Sequence, residues 1–206
     1  MKYRAILFEQ LKSLPFFEKG AVQQLSEQHG LKSTTVDSYI SQTLKRKEIF
    51  ALRKGLYVSA DFYNQHKGDI SYSFYLANVL RKPSYVSSWT ALQFYNLTTE
   101  VIHTTISVTT KTTRDYKTRV GDFSYQSMKK VLFTEFTLEK RKFDYFIASP
   151  AKALFDLLYL RTRQFDGIRF EQVDGYVEDL RIDLDEMDAQ ELQKFYSMVK
   201  RYLNDE

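Results

Sequence analysis

Hydrophobic side chains recur at helical spacing between residues 33 and 45, where the chain reads STTVDSYISQTLK. One face of a helix there would collect Val36, Tyr39, Ile40 and Leu44. The opposite face is polar and would carry Thr34, Thr35, Asp37, Ser38, Ser41, Gln42 and Lys45. Ser33 has the short hydroxyl side chain that favours an N-cap position. The pattern predicts an amphipathic helix whose outer face is rich in hydrogen-bonding groups.

Weaker helical patterns precede this segment, and a hairpin pattern follows it. Residues 3–12 and 18–28 fit short helices. The runs IFAL and GLYV are β-prone, and they flank a glycine-containing turn that begins at Arg53. This order of helix, helix, helix and two-stranded wing predicts a winged helix-turn-helix domain over residues 1–66.

The remainder, residues 67–206, mixes helical and strand patterns and predicts a second domain. The alternation of β-branched residues in HTTISVTTK indicates a strand. The Ser149-Pro150 pair predicts the start of a helix that is apolar on most sides and therefore buried. Helices are also expected over 69–81, 86–95 and the segment with Leu192, Phe195, Tyr196, Val199 and Leu203, and strands over 123–125, 131–138 and 143–147. The predicted class is α+β: an N-terminal winged helix-turn-helix, then a mixed α/β C-terminal domain with a small antiparallel sheet and packed helices.

Charge is distributed unevenly along the chain, although the net value is only +4. Residues 1–67 carry a net charge of +5, residues 68–160 carry +4 and residues 161–206 carry −5. A basic front and an acidic tail suggest an anionic partner for the N-terminal end. A solvated surface with uneven charge is the alternative, and the charge distribution alone does not choose between the two.

Composition and motifs narrow the class of protein further. The chain has no cysteine, which excludes disulfides and cysteine-based zinc sites. The first residues lack the apolar core of a signal peptide, and no segment reaches the ~18 apolar residues of a membrane span. A cytoplasmic protein without membrane association is therefore expected. The histidines are widely spaced, and the phosphate-loop and dinucleotide fingerprints are missing, so neither a metal site nor a cofactor is predicted.

The acidic run EDLRIDLDEMD supports one enzyme hypothesis. Asp183 and Asp185 form a D-x-D, a spacing that can hold Mg²⁺ when both side chains share a strand face. The run is crowded with other acids, as solvated loops and helix starts often are, and nothing nearby supplies a base. A protein that is not an enzyme is therefore predicted, with these two aspartates kept as the alternative.

The amphipathic helix and the basic hairpin together match the DNA-binding surface of a helix-turn-helix. The second helix of that motif enters the major groove with its N-terminal residues near the base edges, where hydroxyl and amide side chains can contact bases or phosphates. Cations at the helix end and the hairpin turn would contact the DNA backbone or minor groove. The predicted DNA-binding residues are Lys32, Ser33, Thr34, Thr35, Ser38, Gln42, Lys45, Arg46, Lys47, Arg53 and Lys54. The alternatives are that these cations are ordinary solvated groups, or that the winged module binds protein and not DNA.

Several segments, spread over about residues 5–160, together resemble the AbiEi family, the antitoxin half of the AbiE type IV toxin–antitoxin systems. The similar segments are LRKGLYV at 52–58, ANVLRKPSYVSSWTALQFYNL at 77–97, ISVTTK at 106–111, GDFSY at 121–125 and IASPAKALFDLLYL at 147–160. The chain departs from the family pattern at Thr90, Asn96 and Thr99, and the acidic region 161–206 is less similar.

This resemblance implies a winged helix that binds inverted repeats in its own promoter. It also implies a C-terminal domain that counters a partner nucleotidyltransferase toxin without forming a stable complex with it. Double-stranded DNA would then be the direct partner, with self-association on DNA left open. No catalytic residue is implied, because the antitoxin of such a pair is not the enzyme. The expected function is that of a transcriptional autorepressor and antitoxin.

Overall fold

The N-terminal region combines helices with a small sheet. The structure, a computed structural model, describes the backbone of residues 2–204 and the side chains of residues 6–204. Met1 and residues 205–206, which belong to the predicted first and second domains, lie outside the described residues. The region begins with the helices α1 (Lys2–Leu11), α2 (Lys19–Gln28) and α3 (Ser33–Lys45). Its strands β1 (Phe17–Glu18), β2 (Ile49–Arg53) and β3 (Leu56–Ser59) pair antiparallel in the order β1-β3-β2.

Helix α3 folds against a small core through the predicted apolar stripe. Val36 and Ile40 are buried, while Tyr39 and Leu44 are half-buried. The two buried residues pack in one cluster with Leu11, Phe17, Val22, Ile49 and Tyr57. The prediction of an amphipathic helix over 33–45 is confirmed.

The predicted N-cap of α3 is wrong by one residue. Lys32, in an extended conformation, is the cap residue, and no side chain caps the helix. Ser33 is the first helical residue, and its Oγ accepts a long hydrogen bond from Gln23 Nε2 at 3.5 Å. Ser33 is exposed at the start of the helix, and its hydroxyl does not cap the helix.

The β2–β3 hairpin is buried on both faces because successive strand residues point to opposite sides. Ile49 and Tyr57 belong to the small N-terminal core. Leu52, Leu56 and Val58 belong to the larger core of the following region. The hairpin is therefore a shared layer between the two regions.

The following region is a larger α/β body. Its helices are α4 (Ala60–His66), α5 (Ile70–Leu80), α6 (Ser88–Phe94), α7 (Pro150–Arg161), α8 (Val173–Asp179) and α9 (Ala189–Asn204). Its strands are β4 (Ser84–Val86), β5 (Thr104–Thr109), β6 (Arg114–Thr118), β7 (Gly121–Ser127), β8 (Phe136–Glu139) and β9 (Tyr145–Ala148). Among the described residues, none of these helices is both long and apolar enough to cross a bilayer.

The sheet of the body is larger than predicted, and it is mixed and not purely antiparallel. The six described strands run in the order β6-β7-β5-β4-β9-β8. The pairs β5–β7 and β4–β9 are parallel, and the other neighbours are antiparallel. The strand predicted over 131–138 is wrong in its first half, since Lys130–Leu132 forms a 3₁₀ turn and β8 starts only at Phe136. The helix predicted from residue 86 starts at Ser88, because residues 84–86 are strand β4.

Helix α7 lies in the centre of the body, as its apolar sequence predicts. The predicted cap is confirmed, because Ser149 Oγ accepts a hydrogen bond from the Lys152 backbone N–H at 3.3 Å and Pro150 opens the helix. One turn later the helix carries a fully buried ion pair, with Lys152 Nζ 2.6 Å from Asp156 Oδ1. The second carboxylate oxygen accepts hydrogen bonds from Tyr85 and Ser87, at 3.0 and 2.7 Å. This network fixes α7 to β4 and to the residue that follows it.

Candidate nucleic-acid interface

The outer face of α3 is a continuous polar surface. The predicted contact residues Lys32, Ser33, Thr34, Ser38, Gln42 and Lys45 are all exposed, and Thr35 is half-buried. Gln42 Nε2 donates to Ser38 Oγ at 3.2 Å, which leaves the carbonyl oxygen and the second N–H of the Gln42 amide free of that bond. A glutamine with both groups available can pair with an adenine edge in a major groove. The structure thus brings the predicted helix residues together on one accessible face.

One acidic side chain, Asp37, interrupts this polar face. Its carboxylate is paired with Lys19 Nζ at 2.5 Å, and both side chains are more than one third exposed. An exposed pair of this kind adds little to stability, but it offsets the negative charge that would otherwise face a phosphate backbone. The acid therefore does not leave an unpaired charge on the surface of α3.

The cations at the end of α3 lie at the opposite end of β2 from the hairpin turn. Lys45, Arg46 and Lys47 are exposed, and Lys47 takes a left-handed conformation (φ 60°) that ends the helix. Arg46 lies 3.9 Å from Glu48, a long contact between exposed groups. Because β2 spans about 15 Å, the two cationic groups cannot contact the same phosphate.

The hairpin turn consists of Lys54 and Gly55, and it is held close to α2. Gly55 has φ +82°, which a glycine adopts without strain. Its carbonyl accepts a hydrogen bond from the Lys19 N–H at 2.8 Å. Lys19 also pairs with Asp37 of α3, so one residue connects the turn to the polar face. Lys54 is exposed at this turn.

Arg53 is placed differently from its neighbour Lys54. Its Nε donates to the carbonyl of Leu80, at the end of α5, at 3.2 Å, and its Nη1 donates to the Lys54 carbonyl at 3.4 Å. The side chain is therefore directed towards the body and not away from it. Arg53 lies beside Arg81, Lys82, Lys111 and Arg114, none of which was predicted to belong to a site. Those residues are up to 61 positions away in sequence, so no local pattern could reveal their convergence.

The two aspartates of the enzyme hypothesis, Asp183 and Asp185, do not lie on a strand. Asp183 and Asp185 lie in an irregular segment between α8 and α9, and the Asp183 N–H donates to the Leu97 carbonyl at 3.0 Å. The D-x-D hypothesis requires both side chains on one strand face, which this segment does not provide. Within the part of the chain that the structure describes, no group of three or more His, Cys, Asp or Glu residues could hold a metal ion.

Comparison of the chain with known protein families and with curated proteins finds no match.

Proposed function

We propose that residues 1–66 form a winged helix-turn-helix module that binds double-stranded DNA, and that the chain is a transcriptional autorepressor and antitoxin of a type IV system. The observation that carries the DNA-binding part is the outer face of α3, where Ser33, Thr34, Ser38 and Gln42 are exposed. The order of α1, α2, α3 and the β2–β3 hairpin supports the choice of module.

The charges around α3 give the module its expected orientation on a duplex. Lys45–Lys47 follow α3 and Lys54 lies at the other end of β2, so the proposed module offers two separate cationic groups to the phosphate backbones that flank a major groove. Phosphate contacts release condensed counterions, so each lost contact lowers the salt dependence of binding by about 0.9 in the slope of log K against log salt.

The test of DNA binding is a Lys45→Gln, Lys54→Gln double variant titrated with the inverted repeats upstream of the gene. We expect weaker binding at every salt concentration and a salt slope smaller by about 1.8. Arg53 is left intact because its bond to Leu80 makes it part of the fold. A Lys140→Gln, Lys200→Gln variant removes two exposed lysines from the body and should bind like the wild type. Unchanged affinity and slope in the double variant would contradict the proposed phosphate contacts of Lys45 and Lys54, and with them the proposed placement of α3 and the hairpin on DNA.

The antitoxin part of the proposal is supported by the resemblance of segments 77–97 and 147–160, which form β4, α6 and α7 of the body. We expect a nucleotidyltransferase reading frame beside this gene, whose expression alone arrests growth. Coexpression of the full chain should restore growth, and so should the DNA-binding double variant expressed from a foreign promoter. Continued arrest in the presence of accumulated, folded chain would contradict the antitoxin role while leaving the DNA-binding role intact.

A further inference from the structure

A strongly basic cleft of about 410 Å³ lies between the hairpin and the edge of the larger sheet. Among its described lining residues are five cations, Arg53, Arg81, Lys82, Lys111 and Arg114, and one acid, Glu18. Like charges repel, so the folded chain gains nothing by collecting five of them around one concave surface. An anionic ligand bound in the cleft would be attracted to each cation and would offset their mutual repulsion.

Two of the guanidinium groups are positioned by backbone carbonyls. Arg81 Nη2 donates to the Thr112 carbonyl at 2.5 Å and to its hydroxyl at 3.1 Å. Arg53 Nε donates to the Leu80 carbonyl at 3.2 Å. These bonds join the end of α5 to the β5–β6 loop and to the hairpin. These two cations are consequently held in place before any ligand arrives, which reduces the entropic cost of binding.

One donor in the cleft is unsatisfied. Arg81 Nε is buried and has no hydrogen-bond partner among the described residues. Buried donors in folded proteins are almost always paired, so this donor leaves Arg81 with hydrogen-bonding capacity that the described residues do not use. A phosphate in the cleft would be attracted to the Arg81 guanidinium, because guanidinium groups form charge-assisted hydrogen bonds to phosphate oxygens.

The cleft also offers planar groups beside the charges. Tyr116 is half-buried in the wall, and the guanidinium carbon of Arg114 lies 5.1 Å from the centroid of its ring. Flat guanidinium and aromatic groups are surfaces on which nucleobases stack. A volume of about 410 Å³ is within the range of small-molecule pockets. None of the described residues that line the cleft belongs to α3.

We propose that this cleft binds a small phosphorylated ligand of the nucleotide class, with its phosphates on the cations and its base beside Arg114 and Tyr116. The ligand would contact Arg53 of the N-terminal region and the remaining cations of the body. It would therefore connect the two regions. The site does not include α3, but it adjoins the proposed DNA-binding surface, because Arg53 is the neighbour of Lys54 in the hairpin.

The test is calorimetric titration of the full chain with ATP, with inorganic pyrophosphate and with adenosine. We expect ATP and pyrophosphate to bind and adenosine to bind at least tenfold more weakly than ATP. A Lys82→Gln, Lys111→Gln, Arg114→Gln variant changes only exposed side chains and should weaken ATP binding at least tenfold. A matched Lys130→Gln, Lys140→Gln, Lys200→Gln variant loses the same charge elsewhere on the body and should keep the wild-type affinity.

The outcomes distinguish this site from general attraction of anions. Absence of ATP and pyrophosphate binding by the wild type, or equal weakening by both triple variants, would overturn the proposal. If the wild type binds no nucleotide and the triple cleft variant loses DNA affinity, the cleft is a DNA-backbone contact. That result would also overturn the nucleotide proposal. Circular dichroism and the thermal midpoint establish that the triple variant is folded. If it is not, Lys111→Gln alone, in an exposed loop, provides the same comparison.

Discussion

The two hydrophobic cores differ in what they bury. The N-terminal core is a small apolar cluster that includes Val22, Val36 and Ile40, and the described ion pairs of its region lie at the surface. The core of the body is rich in aromatic rings, and it encloses the Lys152–Asp156 pair. The body therefore buries charge as well as aromatic rings, while the N-terminal region leaves the outer face of α3 polar and exposed.

The hairpin explains how so small a core can support an exposed helix. Its odd-numbered residues Ile49 and Tyr57 pack under α3, and its even-numbered residues Leu52, Leu56 and Val58 pack into the body. Tyr72, in α5, adds a polar contact across the same boundary, since its hydroxyl donates to the Pro15 carbonyl at 2.7 Å. The N-terminal region thus gains support from burial that its own helices do not supply.

The largest expected effect comes from breaking the buried ion pair. Asp156→Ala would leave the Lys152 ammonium group buried without its carboxylate, along with the hydroxyls of Tyr85 and Ser87. The expected loss is about 3–5 kcal/mol in the free energy of unfolding, measured by urea denaturation. Glu9→Ala breaks an exposed pair with Lys12 in the N-terminal region, where both side chains are more than 40% exposed. That variant should change stability little, because water and salt screen such pairs.

A small loss in Asp156→Ala, no greater than that in Glu9→Ala, would contradict the contrast between the two regions. It would mean that the buried network is relaxed or hydrated in solution. A hydrophobic substitution of both partners, Lys152→Met with Asp156→Leu, should cost less than the single change, because no unpaired charge remains.

Local patterns predicted the elements that carry a clear apolar periodicity or a clear start signal. The stripe from Val36 to Leu44 and the Ser149-Pro150 start of α7 were both recognisable without a structure. Strand β6 was missed because its sequence, RDYKT, is polar at the edge of a sheet and shows no apolar alternation. The strand is stabilised by its pairing with β7, which is a tertiary contact.

The contacts of charged residues were harder to predict from the sequence than those of apolar residues. Arg53 and Lys54 are adjacent and read alike in the sequence, yet only Arg53 is bonded to the distant carbonyl of Leu80. Lys152 and Asp156 did carry a usable signal: opposite charges four positions apart in an otherwise apolar helix are expected to pair when that helix is buried. The basic cleft had no such signal, because its cations come from three separate turns and strand ends.

A substitution in the shared hairpin is expected to have a smaller effect on stability, but it tests whether the two regions unfold together. Leu56 is fully buried and belongs to the large core, although it lies in the N-terminal sheet. Leu56→Ala should lower the free energy of unfolding by about 2–5 kcal/mol, because it removes buried methyl groups and leaves a cavity. Since the hairpin supports both regions, the loss should reach α2 and α3 as well as the body.

Two probes can follow the regions separately in one urea titration. Trp89, the single tryptophan of the chain, reports on α6 in the body through its fluorescence, and amide exchange in residues 19–45 reports on α2 and α3. In Leu56→Ala we expect both probes to shift to lower urea by the same amount. Leu56→Met, which nearly conserves volume, should shift them by less than half as much. A shift in only one probe would show that the hairpin belongs energetically to one region, and that the two cores fold independently despite sharing a strand layer.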